Sequence, residues 1–121
     1  MTESWVGHMV DEIGGGEIGH VHSLFADAES GEPAWVIAAL GRRGGRVVAV
    51  PMGDCAGAAG RVWIAHDREV LRTAPVVDPR RPLLREHELT ICAHYGIGER
   101  VGRAAEVAGR SEGAITARPA G

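Results

Sequence analysis

Trp35-Val36-Ile37-Ala38-Ala39-Leu40, Gly41-Arg42-Arg43-Gly44-Gly45, Arg46-Val47-Val48-Ala49-Val50-Pro51: this stretch decides the fold. Two near-continuous apolar runs of strand length flank a five-residue glycine-rich loop, which is the pattern of a β-hairpin. Pro51 ends the second run, because proline offers no donor to a ladder. A strand with one wet face alternates polar and apolar residues. These two do not, so both faces are expected to be covered. A small barrel turns only alternate residues inward. About half of these apolar positions should therefore point outward, to be covered by a C-terminal helix, a partner or a second copy of the chain. Ile37 and Val48 are the candidate positions for that contact.

Upstream, residues 17–27 read as a long strand. Val21 and Leu24 are three apart, so both face inward only if a bulge near His22-Ser23 intervenes, and bulges are how small barrels bend. Asp27 meets a polar turn, where its carboxylate is expected to accept backbone N–H bonds. Gly14-Gly15-Gly16 is a turn, and residues 6–12 read as a first strand. Downstream, residues 54–60 read as a glycine/alanine loop and 61–65 as a fifth strand. Asp67 is a good N-cap for a short helix over 68–73, which stops before Pro75. The spacing predicts one longer helix over 84–95, with Leu84, Glu88, Ile91 and Tyr95 on one face, Cys92 beside it, and Gly96 as a left-handed C-cap. Residues 1–97 thus form one mainly β domain, a small, strongly bent, partly open barrel with two helices. The Gly/Ala/Arg-rich residues 98–121 read as a flexible or weakly docked tail.

Composition sets bounds. A chain of 121 residues supports one domain with a modest core. Aromatics are 4%, so that core rests on Val, Ile, Leu and Ala. A net charge of −3 argues against a dedicated nucleic-acid binder, whose footprint is basic. No run approaches the roughly 18 apolar residues of a membrane span, and Met1-Thr2-Glu3-Ser4 lacks the charge pattern of a signal peptide. A cytoplasmic location is expected, with Cys55 and Cys92 as reduced thiols.

The chemistry-bearing residues are sparse. His20 and His22 are two apart, and His87 and His94 share a helix face. A metal site needs three or four converging ligands, so solvated or edge histidines are the favoured reading. Cys55 has no recognisable base, Cys92 reads as helix core, and Ser23 lacks a nucleophile-elbow context. Gly14 to Gly19 has no Lys-Ser/Thr and opens a strand, so it is no phosphate loop. No catalytic constellation and no cofactor are therefore expected. Arg42, Arg43 and Arg46 form one basic cluster and Arg80, Arg81 and Arg85 another. Either could contact phosphate, but hairpin tips and linkers are usually charged for solubility, which is the favoured reading. Trp35 reads as core, and Trp63 as a candidate interface residue.

Taken in order, several pieces resemble the PRC-barrel family. They are Ile18-Gly19 with Val21, Asp27 before Gly31, Trp35-Val36-Ile37, Val47 to Pro51, Ala74-Pro75, and Glu86 and Glu88 before Tyr95-Gly96. The resemblance spans about residues 6–97 and makes Gly19, Val21, Asp27, Gly31, Trp35, Pro51, Glu88, Tyr95 and Gly96 structural motif positions. The family is named after the cytoplasmic domain of the photosynthetic reaction-centre H subunit and also occurs in a ribosome maturation factor. It implies a bent, partly open β-barrel that docks on proteins or protein–RNA assemblies. This sequence shows neither the transmembrane helix of the first nor the extra N-terminal domain of the second, so their partners are not carried over. The expectation is a non-enzymatic, stand-alone adaptor with a protein partner, self-associating as a homodimer. The alternative is an RNA- or ribosome-assembly-associated module using Arg42, Arg43 and Arg46, and the third is a metal- or small-ligand-binding protein.

Overall fold

The computed structural model describes residues 5–43, 45–96 and 115–120. Its strands are β1 (Met9–Asp11), β2 (Glu17–Asp27), β3 (Pro33–Leu40), β4 (Arg46–Pro51), β5 (Cys55–Ala58), β6 (Arg61–Ile64), β7 (Leu83–Leu84) and β8 (Ile115–Pro119). The helices are α1 (Arg68–Arg72) and α2 (Arg85–Tyr95). The sheet runs β4-β3-β2-β1-β6-β5 and does not close on itself. The fold is thus mainly β with two helices, as expected.

β2 is the hub. It pairs with β3 along its length, with β1 in its first half and with β8 in its last three residues. One strand serves three partners because it bends. Its register against β3 shifts between Val21 and Ser23 and again between Phe25 and Ala26. The first shift is the expected bulge, and it buries both Val21 and Leu24. Gly19 lets β2 lie close to β3, since a Cβ there would collide with the Ala39 carbonyl oxygen. Asp27 accepts N–H bonds from Glu29 and Ser30, both at 2.9 Å, and Gly31 follows in the same turn.

β3 and β4 form the expected hairpin, with Trp35 opposite Pro51 and Leu40 opposite Arg46. Six consecutive β3 residues, Ala34 to Ala39, are buried. The expected outward-facing half is not open: residues 34–39 and 48–51 are buried, and Leu40, Arg46 and Val47 are half-buried. Ile37 and Val48 both have 0% exposure, so neither is a surface position. The chain covers these strands itself. Val77 N–H donates to the Val47 carbonyl and Val76 bridges Val48, which closes much of the free β4 edge. From α2, Tyr95 donates its hydroxyl to the Ala49 carbonyl at 2.7 Å, and buried Glu88 accepts the Trp35 indole N–H at 3.3 Å.

Four further readings need correction. β1 is three residues, not seven. Residues 55–58, read as loop, form β5 and pair with β6, with the Trp5 ring packed over Gly57. Pro51 is the last paired residue of β4 rather than the residue beyond it. Residues 115–119, read as part of a weakly docked tail, form β8, with Thr116 and Ala117 buried. Residues 98–114 and 121 of that tail, and residues 1–4, lie outside the described residues.

The helices follow their local signals. Asp67 caps α1 by accepting Val70 N–H at 2.9 Å. α2 has no acidic cap at its start. The Leu84 N–H instead donates to His87 Nδ1 at 3.2 Å, the back-bond that Glu or Gln makes in a capping box. Glu88, Ile91 and Tyr95 are its buried face, and Gly96 ends it at φ 60°, a left-handed conformation suited to glycine. Among the described residues, no helix is long and apolar enough to cross a membrane.

Candidate functional site

Four arginines from three elements line one groove of about 790 Å³. Arg42 comes from the β3–β4 hairpin, Arg46 opens β4, and Arg68 and Arg72 stand one turn apart on α1. Residues 17–20 of β2 contribute another wall, and Met9, Ile18, Leu40 and Leu71 supply apolar lining. Arg46 is held by a 2.6 Å bond from Nη2 to the Ala74 carbonyl, and its Nε–H is shielded from solvent with no acceptor among the described residues. Arg68 Nε meets Glu12 at 3.1 Å, and Arg72 Nη2 lies 2.8 Å from both oxygens of Glu69. Each of these three guanidiniums has nitrogens to spare, since it carries five donors.

Glu17, an acid in this lining, is already engaged. Arg61 holds it through Nη2 at 2.9 Å and grips buried Asp11 through Nε at 2.8 Å and Nη2 at 2.7 Å. The Arg61 hydrogen bond holds the Asp11 carboxyl below the usual carboxylate range, and Asp11 in turn raises the Arg61 guanidinium. This cluster pins the parallel pairing of β1 with β6 beside the groove.

Arg42, Arg43 and Arg46 do not form one face. Arg42 and Arg46 enter the groove, whereas exposed Arg43 lies outside its lining. Sequence reasoning missed Arg68 and Arg72. Their four-residue spacing on a short helix was visible, but not the approach of that helix to β2.

A second cleft, of about 620 Å³, lies among residues 75–78, β7 and α2. Val76 is 61% exposed there, beside Pro82, Leu84 and Ile91. Arg80 and Arg81 share a single acid, Asp78, at 3.3 and 3.5 Å. The Arg80 backbone N–H, then its guanidinium, hold the Asp78 carboxyl low. Arg85, the third member of this basic cluster, begins α2.

The histidines are dispersed in structural tasks. His66 Nε2 meets Asp54 at 2.7 Å, and its ring lies 4.8 Å from that of Tyr95. His94 Nε2 donates to the Val70 carbonyl at 2.8 Å, joining α2 to α1. Exposed His22 bonds Ser23, and His20 lines the arginine groove. Among the described residues, no three His, Cys, Asp or Glu side chains are grouped to hold a metal ion. Burial pushes the Tyr95 hydroxyl up from its ordinary range. The Cys55 thiol donates to the Pro51 carbonyl, and Cys92 packs against the core. Trp63 is 39% exposed on β6, a partly open surface position.

No protein-family model matches the chain, and no curated protein is found to be similar to it.

Proposed function

We propose that the chain is a non-enzymatic adaptor of the PRC-barrel kind that docks on a protein partner through the cleft beside α2. The observation that carries this reading is the pairing of exposed Val76 with an apolar cleft lined by Asp78 and Arg81, with Arg80 beside them on the same acid. Apolar contact supplies affinity, and the two arginines that share one acid select a partner. The chemistry that fits is an extended partner segment with an apolar side chain flanked by Asp or Glu. The resemblance of Gly19, Asp27, Trp35, Glu88 and Tyr95-Gly96 to the PRC-barrel pattern supports an adaptor role. A homodimer built on Ile37 and Val48 loses its motive, because both are core.

Panning a phage-displayed peptide library on the full chain tests the reading. Enrichment of apolar residues flanked by acids is expected. Val76→Arg should weaken the selected peptide about tenfold or more, as loss of a central apolar contact does, and Arg80→Glu with Arg81→Glu should do the same. No enrichment, or peptides that bind all variants equally, would remove the cleft as the docking surface.

A further inference from the structure

We infer that the arginine-lined groove between α1, β2 and the β3–β4 hairpin binds a small phosphate-bearing molecule with an apolar body, such as a nucleotide. The site is separate from the cleft beside α2. Its volume of about 790 Å³ falls within the range of small-ligand sites, roughly 300–1,000 Å³. Guanidiniums match the geometry of phosphate oxygens through paired N–H bonds. Arg42 has no ion pair among the described residues and stands at the groove mouth on an exposed turn. Arg46 is already oriented by its bond to Ala74, so less side-chain entropy is lost when it binds. Arg68 and Arg72 are oriented from behind by Glu12 and Glu69. Half-buried Met9, Ile18 and Leu40 give a flat apolar group somewhere to rest.

A small ligand fits better than a nucleic acid. A surface that tracks a phosphate backbone needs a continuous basic stripe. Here Glu12, Glu17 and Glu69 adjoin the arginines, and the whole chain carries −3. These acids interrupt any continuous basic stripe around the groove.

Calorimetric titration of the full chain with ADP, pyrophosphate, adenosine and a short single-stranded oligouridylate tests the inference. ADP should bind saturably at one site, pyrophosphate more weakly and adenosine not measurably. The double variant Arg42→Ala/Arg72→Ala removes two exposed side chains, and its melting curve reports whether it is folded. It should weaken ADP binding about tenfold or more, the scale of lost charge-assisted hydrogen bonds. Arg80→Ala/Arg81→Ala removes equal charge outside the groove and should leave ADP binding unchanged. The inference is overturned if neither ADP nor pyrophosphate saturates, or if both double variants lose binding equally. Oligouridylate binding that ADP fails to displace also overturns it, and would mark a nucleic-acid surface instead.

Discussion

Asp11 is 4% exposed, yet it carries a charge at neutral pH because Arg61 meets both of its oxygens. A buried carboxylate is tolerated only when so paired, and removing one partner strands the other. The pairing is not readable from sequence, since the two residues are fifty positions apart and neither sits in a motif. It does have a pH signature. The folded carboxyl titrates below its unfolded value. Its contribution to stability is therefore complete above the ordinary aspartate range and is lost as pH falls through the folded value. Thermal melts of wild type and Asp11→Asn should show a clear gap at neutral pH that narrows progressively in acid. A gap of constant size from neutral to acid pH would mean that Asp11 stabilises by shape and not by charge. Glu88 was legible only in part. Its helix spacing placed it on the buried face, but its partner, the Trp35 indole, comes from β3 and is set by tertiary packing.

At the scale of elements, legibility follows the strength of the local signal. The β3–β4 hairpin, the bulge in β2, the Asp67 cap and the Gly96 stop were all readable, because each rests on residues adjacent in the chain. β5 was not, because Cys55-Ala56-Gly57-Ala58 has little strand propensity. It becomes a strand through its ladder to β6 and the cover of Trp5. The apolar runs of β3 and β4 were recognised as covered on both faces, with the C-terminal helix, a partner or a second copy as the cover, and much of it is the chain's own, α2 included. Ile37→Glu and Val48→Glu should accordingly unfold the domain and not dissociate an oligomer. Each places a carboxylate at a site with 0% exposure, with an expected loss of more than about 3 kcal/mol. Urea denaturation measures this, and sedimentation of the folded wild type shows its association state independently. Variants with wild-type midpoints would mean that these strands open to solvent.

At the scale of the whole molecule, the parts hardest to read are those that join distant segments. The parallel β1–β6 pair unites two strands of three and four residues, too short for any periodicity. The arginine groove was half legible: Arg42 and Arg46 lie in a visible basic loop, whereas Arg68 and Arg72 join them only once α1 packs near β2. β8 is the clearest case. Ile115-Thr116-Ala117-Arg118-Pro119 follows a Gly/Ala/Arg-rich stretch and carries one large apolar residue, so nothing local marks it as structural. Yet it pairs with the last turn of β2 and with β7, buries Thr116 and Ala117, and accepts Ala28 N–H at the Thr116 carbonyl. Ala120 N–H then donates to the Leu24 carbonyl. Ending the chain after residue 114 removes all of these bonds and opens the edge of β2 where it turns away from β1. With each backbone bond contributing about 1 kcal/mol net, the truncated chain should lose at least about 2 kcal/mol. Its urea midpoint should fall, and its exposed β2 edge should promote association through unpaired backbone groups. A truncated chain that melts with the full-length one would return residues 115–119 to the weakly docked tail that the sequence alone suggests.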